Sequence, residues 1–143
     1  MSQAIDAGAR LAAHMRANAA RLAEACTACG ACYVACPMAP RTQTLAGAAP
    51  AAVMAGIRDI LAGGPGTAHA VAFAGACTRS ALCTPACPEK LDAAFMMRLA
   101  NLIVRGALGD PPRVASKADP GWSARVKTFA RLTMTEEEQA KWL

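Results

Sequence analysis

The 143-residue chain has seven cysteines, in two runs: CTACGACYVACP from Cys26 to Pro37 and CTRSALCTPACP from Cys77 to Pro88. The first run spaces its thiols C-x2-C-x2-C-x3-C-P. The second keeps the first, third and fourth beats and the closing proline, and places Ser80 on the second beat. Thiolates at this spacing wrap a short loop around one face of an inorganic iron–sulfur core, and Gly30 relieves crowding where the backbone approaches it. In two-cluster chains of this spacing the fourth cysteine ligates the other cluster. Cys26, Cys29, Cys32 and Cys87 are therefore expected to hold a 4Fe-4S cluster, and Cys36, Cys77 and Cys83 a 3Fe-4S cluster. That division leaves no thiol over. The alternative is a second 4Fe-4S cluster with Ser80 or water at its fourth iron. Serine oxygen is harder and more basic than thiolate, so that iron is expected to be labile.

Other chemistries of cysteine fit less well. Zinc takes four ligands at a time and does not use this triple spacing. A redox-active C-x-x-C leaves most of the thiols unexplained. An odd count in a chain of cytoplasmic character argues against a disulfide framework. Nothing in the sequence resembles a catalytic site: His14 and His69 read as solvated or structural, and no glycine-rich nucleotide loop follows a strand.

Helices are the elements that must position these loops. Apolar spacing predicts an amphipathic helix from about Ile5 to Ala25, with Ile5, Leu11, Met15 and Leu22 on one side. A short helical turn is expected inside Cys26 to Pro37. Pro50 to Leu61 reads as a second helix, opened by proline and ended by Gly63-Gly64-Pro65-Gly66. Ala68 to Ala76 forms a short helix before the second motif. Leu91 to Leu108 is the strongest helix, with Leu91, Phe95, Leu99, Leu102 and Ile103 on one face. Val114 to Gly121 reads as a linker, Trp122 to Leu132 as a small amphipathic helix, and Thr135-Glu136-Glu137-Glu138 as the capped start of a last turn. No alternating run is long enough for a sheet, so the expected class is all-α. Residues 1–112 are expected to form the domain that binds both clusters, and residues 113–143 a linker and partner-docking tail.

Composition agrees with a helical chain that packs thinly. It is 55% hydrophobic but only 4% aromatic, and it is dominated by alanine, which favours helix and buries little area per residue. Something other than bulky side chains is expected to hold its middle together. The net charge of +5 is scattered and not interleaved with aromatics, and two clusters of about −2 each would nearly cancel it. Nucleic acid is therefore not an expected partner. The first 25 residues carry Arg10, Arg16, Arg21, Asp6 and Glu24, unlike a secretory leader. The uncharged stretch Ile60 to Thr78 is broken by glycines and Pro65, unlike a membrane span.

The motif residues resemble the α-helical ferredoxin family. This includes the four-iron/three-iron domain of succinate dehydrogenase and fumarate reductase iron–sulfur subunits, and the small iron–sulfur subunit of heterodisulfide reductases. The first group shares the C-x5-C-x3-C-P pattern of Cys77, Cys83, Cys87 and Pro88, with a three-iron cluster there. Heterodisulfide-type subunits usually keep a cysteine where Ser80 stands. The plant-type two-iron motif is missing, and Met38-Ala39-Pro40-Arg41-Thr42 lacks the tryptophan that the first group places near its quinone. The resemblance implies an electron-transport subunit of an oxidoreductase complex, relaying single electrons from a flavoprotein dehydrogenase to a downstream acceptor. The alternative it implies is a heterodisulfide-reductase-like small subunit with a cysteine-rich or quinone-linked partner. A cytoplasmic location, or one peripheral to the inner membrane through partners, follows from either. The exposed faces of the first helix and the tail residues Trp122, Phe129, Trp142 and Leu143 are expected docking surfaces.

Overall fold

The computed structural model describes residues 2–114 and 121–142, with side chains placed for 7–114 and 121–141. Regular structure among them is wholly helical: α1 (Ser2–Ala25), α2 (Ala31–Val34), α3 (Pro50–Leu61), α4 (Ala68–Ala76), α5 (Cys83–Ala86), α6 (Ala93–Val104), α7 (Trp122–Thr133) and α8 (Glu136–Trp142). Two 3-10 turns, Ala39–Arg41 and Gln43–Leu45, carry the chain from the first cysteine run to α3. The fold is all-α, with no strand among the described residues.

The centre of the molecule is α3, which packs against α1, α2, α4 and α6. Pro50 starts it with a preset φ and no unused N–H. Its Val53, Met54, Ile57, Ile60 and Leu61 are buried. Beyond its end, the Asp59 carboxylate accepts the Gly66 N–H at 2.7 Å and fixes the glycine turn. Side chains cap the next two long helices. Thr67 Oγ1 accepts the Ala70 N–H at 3.1 Å at the start of α4, and Asp92 Oδ1 accepts the Phe95 N–H at 2.9 Å at the start of α6. The largest fully buried side chains are methionine, isoleucine, leucine and valine, with no aromatic among them. The core is thin, as the alanine content leads one to expect.

Two helices differ from their expected form. The sixth is shorter than Leu91 to Leu108, because Asp92, the residue after Leu91, caps it and Gly106, at φ 73°, ends it. Its buried face is Ala93, Met96, Met97, Leu99, Ala100, Ile103 and Val104, so Phe95 and Leu102 sit at the margin. In α1 the expected stripe does not pack along its length. Ala19, Leu22 and Ala23 are buried, Met15 is half-buried and Leu11 is 56% exposed. Among the described side chains of α1, the buried ones all lie in its C-terminal part; the Ile5 side chain lies outside the described set.

The Ile60 to Thr78 stretch is divided between α3, the glycine turn and α4, and no described helix is long and apolar enough to cross a membrane. Residues 115–120 of the expected linker, the Trp142 side chain and Leu143 lie outside the described residues. α8 opens with the expected box: Glu138 Oε2 accepts the Thr135 N–H at 2.8 Å, and Thr135 Oγ1 accepts the Glu138 N–H at 3.3 Å. Trp122 and Phe129 are 59% and 66% exposed on α7.

Candidate iron–sulfur site

Each cysteine run is built the same way: a loop, one helical turn, then a Cys-Pro. The first loop ends at Gly30, the N-cap of α2; the second ends at Leu82, the N-cap of α5. The short helices α2 and α5 pack on each other, which brings the two runs together. The loops also share an unusual backbone. Ala28 and Gly30 have φ of 56° and 84°; Arg79 and Ala81 have φ of 63° and 60°. These are the second and fourth residues after Cys26 and after Cys77. Left-handed residues alternating with others turn successive N–H groups inward and make a concavity that suits an anionic core. Three of the four are not glycine, and such strain persists where the surroundings or function demand it.

The seven thiols are all free and divide between two cavities. One is lined by Cys26, Cys29, Cys32 and Cys87; it is narrow, about 10 Å³, with Met54 and Met96 closing in on the sulfurs. The other, about 290 Å³, is lined by Cys36, Cys77 and Cys83, with Ser80 among its walls. Cys87 thus faces the first run and Cys36 the second. Among the described residues, no three His, Cys, Asp or Glu side chains converge on a single-ion site. In the second cavity, thiols spread around about 290 Å³ suit a many-atom core better than one zinc ion.

Electrostatics define the same groupings. Burial, and then the nearby Cys26, push the Cys32 thiol from 9.0 to about 11. Burial also raises Cys36, with Cys77 adding to it, while the amides of Met38 and Ala39 pull the other way. Cys83 is raised by burial and then by Cys77 and Cys36, against amides of its own turn. Cys32 also feels Cys83 across the boundary between the cavities, so the two sites are neighbours. The Ala28 N–H donates to Cys26 Sγ at 3.4 Å. Soft donors, inward amides and desolvated thiols are the donor chemistry that iron–sulfur cores require, and the residues fit.

Residues 22–91 match the family of 4Fe-4S dicluster domains. This is an iron–sulfur segment of the ferredoxin-like kind. It contains both cysteine runs, from Cys26 to Pro88. No curated protein and no solved structure matches the chain.

Several supports of this ferredoxin-like segment are invisible in the motifs. Tyr33, between Cys32 and Cys36, is buried; its ring lies 4.9 Å from that of Phe73, and its hydroxyl donates to Leu45 O at 3.4 Å. The last carbonyls of α4, just before Cys77, are held by Asn101 Nδ2 to Ala74 O at 2.8 Å and by Arg125 Nη1 to Gly75 O at 2.5 Å. Arg105 Nη2 also donates to Gly75 O, at 3.4 Å. Donors there offset the negative end of the helix and fix where the second loop begins. These partners lie 27 to 50 residues away in sequence, a separation at which spacing carries no signal. His14 and His69 are exposed and line neither thiol cavity.

Proposed function

We propose that the protein is an electron-transfer subunit of an oxidoreductase complex, passing single electrons from a flavoprotein partner to a downstream acceptor. Cys26, Cys29, Cys32 and Cys87 hold a four-iron cluster, and Cys36, Cys77 and Cys83 hold a three-iron cluster. The observation that carries this reading is the exchange of Cys36 and Cys87 between two adjacent thiol cavities. When bound, thiolate-held iron–sulfur clusters supply one-electron chemistry at a potential set by ligand number, hydrogen bonds and burial.

The chain's own residues do the rest. The Ala28 amide is directed at Cys26 sulfur, and the amides of Met38 and Ala39 favour the thiolate of Cys36 against its burial. At the first site Cys32 is buried, while Cys29 stays exposed. On α7, Val126, Phe129 and Leu132 are exposed beside Thr78 and Ser80, next to the second site. That apolar face, which Arg125 and Thr128 also line, is the docking surface assigned to a redox partner. Free thiols of this number suit a reducing compartment, and we assign the protein to the cytoplasm. The domain so defined spans residues 1–112, with 113–143 as the docking tail.

Low-temperature EPR with metal analysis of the air-oxidised protein tests this. The near-isotropic signal of a three-iron cluster is expected, with iron in four-plus-three stoichiometry. EPR silence with four irons at both sites would remove the three-iron assignment, and zinc in place of iron would remove the whole reading.

A further inference from the structure

Of the oxygen-bearing side chains lining the second cavity, Thr78, Ser80 and Asp92, Ser80 holds the sequence position that the first run fills with a thiol. Ser80 stands three residues after Cys77, as Cys29 stands three after Cys26. It is flanked by Arg79 and Ala81 at φ 63° and 60°, as Cys29 is flanked by Ala28 and Gly30 at 56° and 84°. Both residues are exposed, unlike the buried or half-buried remaining thiols of the two runs. Ser80 also lines the same cavity as Cys36, Cys77 and Cys83. The second loop has the left-handed backbone of the four-cysteine loop at the matching positions, held by two strained non-glycine residues, with an oxygen donor where the first has sulfur.

We propose that Ser80 Oγ is the ligand of an exchangeable fourth metal corner in the second site, one that takes a divalent first-row ion, Fe2+ foremost. The proposal rests on the thiol assignment above and adds a fourth, hard donor to it. Thiolate holds iron firmly. An alkoxide on an exposed loop competes poorly with water once protonated, so the corner fills and empties with metal supply. No electron moves in the binding step, which starts from the reduced three-iron core. The Ser80 O–H bond breaks, its proton passes to water, and an Oγ–metal bond forms. The exposure of Ser80 gives the ion its route from solvent.

The test uses the iron-loaded full-length protein, reduced with dithionite and titrated with Fe2+ and, separately, Zn2+. The readout is loss of the low-field EPR signal of the reduced three-iron core. Wild type should lose the signal at an ion concentration at least about tenfold lower than Ser80→Ala, the scale on which support for a metal site is usually lost. A chelator should restore the signal in wild type. Ser80→Cys should bind so firmly that the chelator fails. A wild type that already carries a fourth iron, beside a Ser80→Ala protein with the three-iron signal, supports the proposal equally. Equal titration of wild type and Ser80→Ala overturns it while leaving the thiol assignment standing. Absence of iron–sulfur signals from all three proteins overturns both.

Discussion

Gly30→Ala is expected to destabilise the protein by about 3 kcal/mol, the left-handed penalty and overpacking acting together, and to release iron from the site beside it. A Cβ at residue 30 meets Pro50 Cβ at 2.7 Å, the Pro50 carbonyl carbon at 2.9 Å and Ala51 N at 3.0 Å. Two of those atoms are backbone at the start of α3, which cannot swing aside as a side-chain tip can. The residue also sits at φ 84°, where a side chain is strained regardless of space. Relief requires the first loop to move off α3, carrying Cys29 and Cys32 with it. Ala81 is the internal control, because it occupies the matching beat of the second loop and already bears a Cβ at φ 60°. Ala81→Gly should therefore keep its iron and lose no folded-state contact of consequence. Denaturant unfolding and iron content of the two variants, side by side, check the contrast.

Removing the iron is expected to have a still larger effect. Metal bound to a site that the unfolded chain lacks contributes its binding free energy to folding, on the order of 10 kcal/mol for structural metal sites. The core here has little to set against that loss, because its fully buried side chains are aliphatic or methionine and many of its other members are alanine. The second loop is joined to α4 by one long bond, Cys77 N–H to Ala74 O at 3.4 Å. Chelation under reducing conditions should therefore sharply lower the temperature of the cooperative thermal transition followed by circular dichroism.

The metal-free chain should also acquire an alkaline weakness. Its folded form holds the Cys32 thiol protonated up to about 11, whereas the unfolded form releases that proton near 9.0. The stabilisation is complete below the lower value and is lost as pH rises through the upper one. Iron-loaded protein, with thiolate already bound, should show no such loss from this residue. A melting series across that range, with and without iron, distinguishes the two.

The sequence made some of this legible and hid the rest for physical reasons. Pro50 and the following glycines bounded α3, and α4 likewise has the expected limits, because local chemistry at its ends decides where a helix starts and stops. Cys-Pro spacing put a fourth cysteine one turn beyond each loop; Cys36 lines one cavity with Cys77 and Cys83, and Cys87 the other with Cys26, Cys29 and Cys32. The packing of α1 was misjudged at Leu11, because periodicity reports an apolar face without saying how far a neighbour extends along it. Cys83 to Ala86 gave no helical signal; that turn is short and is held by its contact with α2. The left-handed Arg79 and Ala81 were equally hidden, since neither residue type announces that conformation. Arg125 on Gly75 O is a tertiary contact across 50 residues, beyond the reach of any local pattern.

The central claim is that the two Cys-Pro sulfurs cross, Cys36 to the second site and Cys87 to the first. EPR and Mössbauer spectra of iron-loaded Cys36→Ala test it most directly. The account predicts that the three-iron signal disappears while the four-iron spectrum of the site at Cys26, Cys29, Cys32 and Cys87 persists. Loss of the four-iron spectrum with the three-iron signal intact would contradict it.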